Sequence, residues 1–437
     1  MIDRRTLIGG GVAAAALSAP AMSYARILGA NDRLHVAVMG LNGRGSALMK
    51  AVAGTPNNEL SRLIDVDSTV LKKRAGEAVA DGGRAPALDR DYRRALDRKD
   101  IDALVVTTPD HWHVKASIDA LKAGKHVYVE KPLSLAPAEG EALIAVQQDS
   151  GRVLQMGNQQ RSSRETQELV GIVREGGLGD IYQADTWYAN NRGSIGKGEY
   201  AAPPAHLDWD LWQGPRPRGR YRTNLVHYNW HWFWRYGTGE TTNNALHELD
   251  IARLIMDVGF PEQVSARGSR QFHRGDDWEM YDTLNLELIY PDKRLIRWDG
   301  HSCNAQRRYG RDRGVLVYGT KGSAVVDRNG YEMFDLAGKQ IAKVEAAAKS
   351  ATTNTVGAGD LDFRHFANFA DTVRGTATRQ ASPVRDGHVS TTLCHLGNIA
   401  YRTGKELRID PATGRPQDAE AMKLWAVDYE PGWAVTI

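Results

Sequence analysis

Cysteine is nearly missing, with two in 437 residues, Cys303 and Cys394. They stand far apart and in no ligand spacing, which excludes a disulfide-rich scaffold and a cysteine-held metal and leaves two free thiols as the expectation. Charge of one sign is lacking as well. Formal net charge is +3 with 25% of residues charged, no field of the kind that holds nucleic acid or an anionic membrane. The densest basic cluster, RPRGRYR (Arg216 to Arg222), reads as a solvated loop, with contact to an anionic substrate or a partner chain as the alternative. A long apolar run is also missing. The nearest to one lies in DRRTLIGGGVAAAALSAPAMSYA (Asp3 to Ala25), where glycines interrupt a stretch too short to span a bilayer well. Behind the pair Arg4-Arg5, followed by Thr6 and apolar Leu7-Ile8, it reads as a twin-arginine export signal over residues 1–30. A retained membrane tether is the alternative. The expected location is the periplasm, with the twin-arginine export machinery as a partner. No internal repeat is visible.

With 42% hydrophobic residues, the chain is too long for one core and divides into two expected domains, 31–157 and 158–437. From Leu34 to about Leu154, short apolar strands alternate with helices, and DALVVTTPD is nearly continuous apolar, as in a strand buried on both faces. This predicts an α/β fold whose first domain is a doubly wound parallel sheet of the Rossmann kind. After Asn158 the character changes. A helix (SRETQELVGIVREGG) and a strand (IYQADTWYAN) lead into a Gly/Pro/Arg-rich loop reaching about Tyr228. TNNALHELDIARLIMDVG follows as an amphipathic helix with Leu246, Leu249, Ala252 and Ile255 on one stripe. Consecutive strands without intervening helices then predict a large, open, mostly antiparallel sheet, with a hairpin around YPDKR. Two helices and a Trp-bearing tail that wraps back complete the α+β second domain.

Four stretches carry chemistry, and a fifth is a candidate for binding. VAVMGLNGRGSA has the strand–turn–helix context of the dinucleotide fingerprint, with Gly40 and Gly45 in the first and third glycine positions and Asn42 in the middle one, beside Gly43 and Arg44. Asparagine tolerates a positive φ better than most residues. Asp65 ends the next strand, where a carboxylate hydrogen-bonds the adenosine ribose and repels a 2′-phosphate, favouring NAD over NADP. TTPDHWH (Thr107 to His113) ends a strand at the sheet's carboxyl edge, so Thr108 and Pro109 are expected at the ligand. His111 and His113, two apart with no third ligand near, point to packing around a nicotinamide or its ribose; no metal is expected. GKHVYVEKP delivers Glu130 and Lys131 to the same edge. There a partly desolvated lysine has a lowered pKa suited to acid–base work. Asn243, His247 and Asp250, at i, i+4 and i+7, share one helix face apart from the apolar stripe. That gives His247 a functional reading over that of a satisfied structural histidine. YNWHWFWRYG (Tyr228 to Gly237) is either buried core or a surface for sugar rings, with Tyr228 and Trp232 as substrate candidates.

On Gly40 to Gly45, Asp65, TTPDHWH, AGKHVYVEKP and NNALHELDIA, the chain resembles the glucose–fructose oxidoreductase, inositol dehydrogenase and rhizopine-catabolism (Gfo/Idh/MocA) family over roughly residues 33 to 410. The resemblance implies a Rossmann domain, a second domain whose open sheet often makes oligomer contacts (a homodimer or tetramer), and NAD(P)-dependent oxidation or reduction of a hydroxyl on a sugar, polyol or related carbohydrate. It implies cofactor contacts at Gly40, Asn42, Gly43, Arg44, Gly45, Asp65, Thr108, Pro109, His113, Glu130, Lys131 and Asn158, and substrate contacts at Lys131, Asn243 and His247. The family's usual aspartate is here Asn243, and its glycine run before that helix is altered to GTGETTNN. An amide orients a hydroxyl but cannot hold its proton, so acid–base work falls to Lys131 and His247.

An exported nicotinamide enzyme meets no cofactor pool. It must carry its NAD tightly bound and regenerate it within its own cycle, either by oxidising one sugar and reducing another or by oxidising a glycoside transiently so that the aglycone leaves by elimination. The family's glycosidases of the second kind often depart from EKP, which this chain keeps. The leading expectation is an NAD-dependent carbohydrate oxidoreductase. A redox-assisted glycoside hydrolase and a sugar-binding protein with a structural cofactor are the alternatives.

Overall fold

Val36, Ala37 and Val38 have no exposed surface, and neither do Ala103 to Val106. Strands apolar on both faces need cover on both sides, and the computed structural model, which describes residues 33–347 and 358–435, supplies it. Strands β1 (Leu34–Met39), β2 (Asn58–Ile64), β3 (Ala87–Asp89), β4 (Ala103–Val106), β5 (His126–Val129) and β6 (Leu154–Met156) pair in parallel in the order β3-β2-β1-β4-β5-β6. The order reverses between β1 and β4, which opens a crevice at their carboxyl ends, where ligands of such sheets bind. Helix α1 (Arg44–Gly54) follows β1 directly.

The second sheet has ten strands: β7 (Ile181–Asn191), β8 (Gln263–Ser269), β9 (Thr283–Ile289), β10 (Leu295–His301), β11 (Cys303–Asn304), β12 (Arg313–Gly319), β13 (Gly322–Asp327), β14 (Gly330–Phe334), β15 (Gln340–Glu345) and β16 (Leu407–Arg408). All pairings are antiparallel except β7 with β10. The hairpin predicted around YPDKR joins β9 and β10, with Lys293 at φ +70° in the turn. Both cysteines are free and buried. The export-signal reading falls on residues outside those described.

Helix α2 (Leu246–Met256) differs from its sequence reading. It is buried on every face rather than along one stripe, because it lies between β7 and β12 on one side and helix α4 (Val384–Thr403) on the other. Its polar residues are therefore paired in the interior. Glu248 takes two bonds from Arg313 (2.7 and 3.0 Å), Asp250 takes two from Arg161 (2.7 and 2.8 Å), and Arg253 donates to Asp386 (2.8 Å). Helix α3 (Asp360–Arg374) leaves the second sheet and returns to the first, packing Phe366 and Phe369 on Tyr128 of β5 with ring centroids 5.9 and 5.8 Å apart. The tail also folds back. Trp433 meets Trp112 edge-on at 5.4 Å, and the Tyr429 hydroxyl donates to Glu139 at 2.8 Å.

The basic run is not a solvated loop. Arg216 donates to the Arg235 and Asp428 carbonyls, Arg218 donates to the Gly214 carbonyl, and Arg220 and Arg222 lie over the Tyr200 ring. These guanidiniums satisfy loop carbonyls and pin the tail.

The Arg161–Asp250 pair is 1% exposed on both sides. Arg161→Met leaves Asp250 as a buried charge short of its main counter-ion and is expected to cost about 3–5 kcal/mol, read as a lowered midpoint in urea unfolding with the slope retained.

Candidate active site

A cavity of about 540 Å³ lies between the carboxyl edge of the first sheet and the second unit. At its nucleotide end the β1–α1 turn is built for close approach. Gly40 has φ +85°, and a Cβ there would meet the Thr108 nitrogen at 2.8 Å; a Cβ on Gly45 would lie 1.9 Å from the Gly40 carbonyl oxygen. No side chain caps α1 at Gly43, so its first amides remain for an anion, as at other helix N-termini that bind diphosphate. The Asp65 carboxylate accepts from the amides of Leu41 (2.8 Å) and Asp67 (2.9 Å). Burial pushes its pKa up and the two amide bonds counter that. These residues fit a dinucleotide, with the amides at Asn42, Gly43 and Arg44 for the diphosphate and Asp65 for the ribose.

The second unit walls this end. Asp67 and Leu207 form a β-bridge, the Ser68 amide donates to the His206 carbonyl (2.9 Å), the Asp208 amide donates to that of Val66 (3.1 Å), and His227 Nε2 lies 3.1 Å from the Asp67 carboxylate. Val66, Leu207 and His227 line the cavity.

At the other end β5 carries Glu130 and Lys131 into the cavity. Glu130 is clamped by Arg44 Nε (2.9 Å) and Gln159 Nε2 (2.8 Å). Arg44 also bonds Asp362, at the start of α3. Lys131 Nζ donates to the Asn243 carbonyl (2.7 Å) and to its side-chain oxygen (2.9 Å). Asn243 lies in a π-helical turn, Thr241–Ala245, ahead of α2; such widened turns recur at functional sites. Burial pulls the Lys131 amine below its ordinary pKa, against the charges of Glu130 and Asp110. His247 lines the same cavity and is also held well below its usual pKa, by burial and then by the charges of Arg328, Lys131, Arg313 and Arg44. The imidazole is therefore neutral, with one ring nitrogen to donate and the other to accept a hydrogen bond.

Gly40, Asn42, Gly43, Arg44, Asp65, Thr108, Pro109, Glu130, Lys131, Tyr228, Asn243 and His247 line one cavity. The other predicted residues do not. Gly45 packs α1 against the turn. The His113 ring nitrogens lie against the Pro132 carbonyl (2.6 Å) and that of Thr108 (2.9 Å), holding two loops together instead of facing a nicotinamide. His111 is likewise buried against the Trp212 carbonyl (2.9 Å). Asn158 is buried and does not line the cavity, with neither side-chain polar atom hydrogen-bonded within the described residues, and its neighbour Gln159 reaches the lining instead. Trp232 is core, 1% exposed and stacked on Trp278 at 4.1 Å. Asp250 does not share the cavity with Asn243 and His247, because Arg161 and Ser390 hold it in the interior. Sequence reasoning missed Asp110, Asn190, Arg192, His231, Arg328 and Asp362, all of them lining. Asp110 was legible beside Pro109 at a strand end; Arg328, in a hairpin tip, and Asp362 carried no signal.

Residues 34–158 match the family model described as "Oxidoreductase family, NAD-binding Rossmann fold" (GFO_IDH_MocA), and residues 166–325 match the GFO/IDH/MocA C-terminal domain model. Among curated proteins, the chain is 27% identical over 161 residues to "Glycosyl hydrolase family 109 protein 1" of Shewanella sp. (strain ANA-3), a match covering 36% of this chain and 35% of that protein. It is 27% identical over 159 residues to "Alpha-N-acetylgalactosaminidase" of Shewanella oneidensis, covering 36% and 35%. The match thus spans about a third of these relatives' length. Among solved structures, the aldose-aldose oxidoreductase of Caulobacter crescentus, complexed with glycerol, has TM-score 0.66 at 20% identity, covering 86% of this chain and 100% of that one. Levoglucosan dehydrogenase, in complex with NADH and levoglucosan, has TM-score 0.66 at 17% identity, covering 86% and 99%. These structural matches establish a shared fold.

Two glycine substitutions separate fold from binding. Nothing lies within 4 Å of a Cβ on Gly43, so Gly43→Ala should weaken NAD binding in calorimetric titration while hardly changing the melting temperature of the nucleotide-free protein. Gly45→Ala should lower both, with overpacking costing about 1–3 kcal/mol.

Proposed function

The chain belongs to the Gfo/Idh/MocA oxidoreductase family, and on that footing we propose that it is an NAD-dependent carbohydrate oxidoreductase acting on a CH–OH group of a sugar or polyol. The observation that carries this reading is that the Lys131 amine and the His247 imidazole, far apart in the chain, line one cavity with the dinucleotide turn. Nicotinamide, when bound, supplies the hydride acceptor at its C4. Lys131 binds the reacting oxygen and, as the neutral amine favoured by burial, takes its proton. Asn243 holds that amine through two oxygens and, through its amide, orients a neighbouring hydroxyl. The neutral His247 ring offers one nitrogen to donate and one to accept a hydrogen bond from the other wall. Tyr228, half exposed at the mouth and bonded to Arg192 (3.0 Å), offers a ring face to a sugar.

The wall that Leu207 and His227 build across the β2 end supports a cofactor retained through the cycle. Retention suits an exported protein, and the arginine pair Arg4-Arg5 supports twin-arginine export to the periplasm. A homo-oligomer contact through the second sheet completes this reading; there Tyr318 and Phe334 lie partly exposed beside the buried cluster of Trp187, Leu316 and Val325. A redox-assisted glycoside hydrolase is the second reading, favoured by the relatives named as family 109 glycosyl hydrolases. Release of nitrophenol from a nitrophenyl glycoside with no net reduced cofactor distinguishes it from the first. A bound cofactor that no sugar reduces points instead to a sugar-binding protein with NAD as structure.

Lys131→Met is expected to slow sugar-dependent cofactor reduction by about 10²–10⁴-fold while leaving NAD bound; unchanged reduction overturns the assignment. In the oxidation direction the neutral amine is the active form, and its folded pKa lies below the ordinary ~10.4. Activity should therefore rise with pH through a midpoint well below that value and be lost as the amine protonates at lower pH.

A further inference from the structure

Asp110 is a buried carboxylate whose place in the chemistry is unassigned. It stands in the turn after β4, 5% exposed, and lines the cavity. β4 and β5 pair in parallel with Val106 opposite Val129, so the segments that follow bring Asp110 and Lys131 to the same stretch of the crevice. The Thr238 hydroxyl donates to Asp110 Oδ2 at 3.3 Å and is itself bonded to Thr242, one turn ahead of α2. A buried acid of this kind is costly unless a nearby charge compensates it, and the charge that bears on it is Lys131.

We propose, resting on the oxidoreductase reading, that Asp110 is a positioning residue that acts through Lys131, setting its protonation and receiving its proton. It supplies from the β4 side the carboxylate that Asn243 does not. When Lys131 takes the hydroxyl proton, an O–H bond breaks and an N–H bond forms. Lys131 Nζ bonds Asn243 and Asp110 bonds Thr238, with no ion pair between the two, so the ammonium then gives a proton to the Asp110 carboxylate through an intervening hydroxyl or water. One N–H bond breaks, one O–H bond forms, and the amine is restored with no oxidant or reductant involved. Burial raises the Asp110 carboxyl and lowers the Lys131 amine, so the two pKa values move toward each other and the transfer is easier than between free groups. The other charged and titratable groups around the pair are Glu130 beside Lys131, Arg313 and Arg328 from the second sheet, and the neutral rings of His113, His231 and His247.

The test uses the full chain with NAD bound and reads Lys131 directly, by its rate of carbamylation with cyanate across pH, located by mass spectrometry. Asp110→Asn removes a negative charge near the amine and so disfavours the ammonium. The modification midpoint of Lys131 should fall by about one pH unit, and the rising limb of sugar oxidation should fall with it. Asp110→Glu should restore most of the shift. Thr238→Val leaves the charge but removes the bond that favours the carboxylate, and should move the midpoint the same way by less, which keeps the test open if Asp110→Asn does not fold. An unmoved or raised midpoint in a folded variant overturns the proposal. A lowered midpoint in a protein that oxidises no sugar upholds the coupling while sinking the oxidoreductase reading.

Discussion

The contact between Lys131 and Asn243 is the constraint on which the site depends. A lysine at the end of a parallel strand would ordinarily extend into water. Here its amine donates to a main-chain carbonyl and a side-chain oxygen of the second unit, at 2.7 and 2.9 Å. That carbonyl belongs to the π turn at Thr241–Ala245, just ahead of α2. One side chain of the first sheet thus fixes the entrance of the helix that carries His247, and the crevice at the β1/β4 switch becomes a walled cavity rather than a bare sheet edge.

The helix behind that contact is held by charge rather than by an apolar stripe alone. Glu248, Asp250 and Arg253 each meet an opposite charge from a different element: Arg313 on β12, Arg161 after β6, and Asp386 on α4. Buried ion pairs contribute little net stability compared with well-packed apolar residues, but each is costly to break. Three ion pairs in six residues, those of Glu248 and Asp250 fully buried and that of Arg253 partly so, leave the helix few alternative rotations or registers. His247 immediately precedes that run, so its ring inherits the alignment without hydrogen bonds of its own within the described residues.

These relations explain what the sequence disclosed. Parallel strand order, the glycine turn, Asp65 and the arrival of Lys131 were legible because each follows from local rules, namely apolar strands buried on both faces, a φ only glycine adopts easily, and a strand that ends in charge. Trp232, His113 and Asn158 misled because an aromatic, an imidazole or an amide has the same local pattern whether it lines a cavity or fills the space behind it. Trp278, which stacks on Trp232, lies more than forty residues downstream, and no spacing rule connects them. Asp362 is subtler. It begins a helix that returns from the second sheet to bond Arg44, a connection set by tertiary packing alone. The buried face of α2 was misread because its polar residues were assumed to seek water, whereas their partners came from other elements.

An asparagine where the family has an aspartate is not simply a loss. Four cations, Arg328, Lys131, Arg313 and Arg44, bear on His247. In that field a carboxylate in hydrogen-bonding contact with Lys131 would form a buried ion pair, favour the ammonium and raise the pKa of the amine, quenching it as a base near neutral pH. The amide of Asn243 offers a lone pair in the same place without the charge. It steadies the amine and leaves burial free to depress its pKa. Negative charge near Lys131 then comes from Glu130, which is committed to Arg44 and Gln159, and from Asp110, which stands on the neighbouring strand end and bonds Thr238. Exchanging a contact carboxylate for an amide moves the charge away from the amine without removing it from the cavity, so geometry and protonation at Lys131 are controlled by different residues.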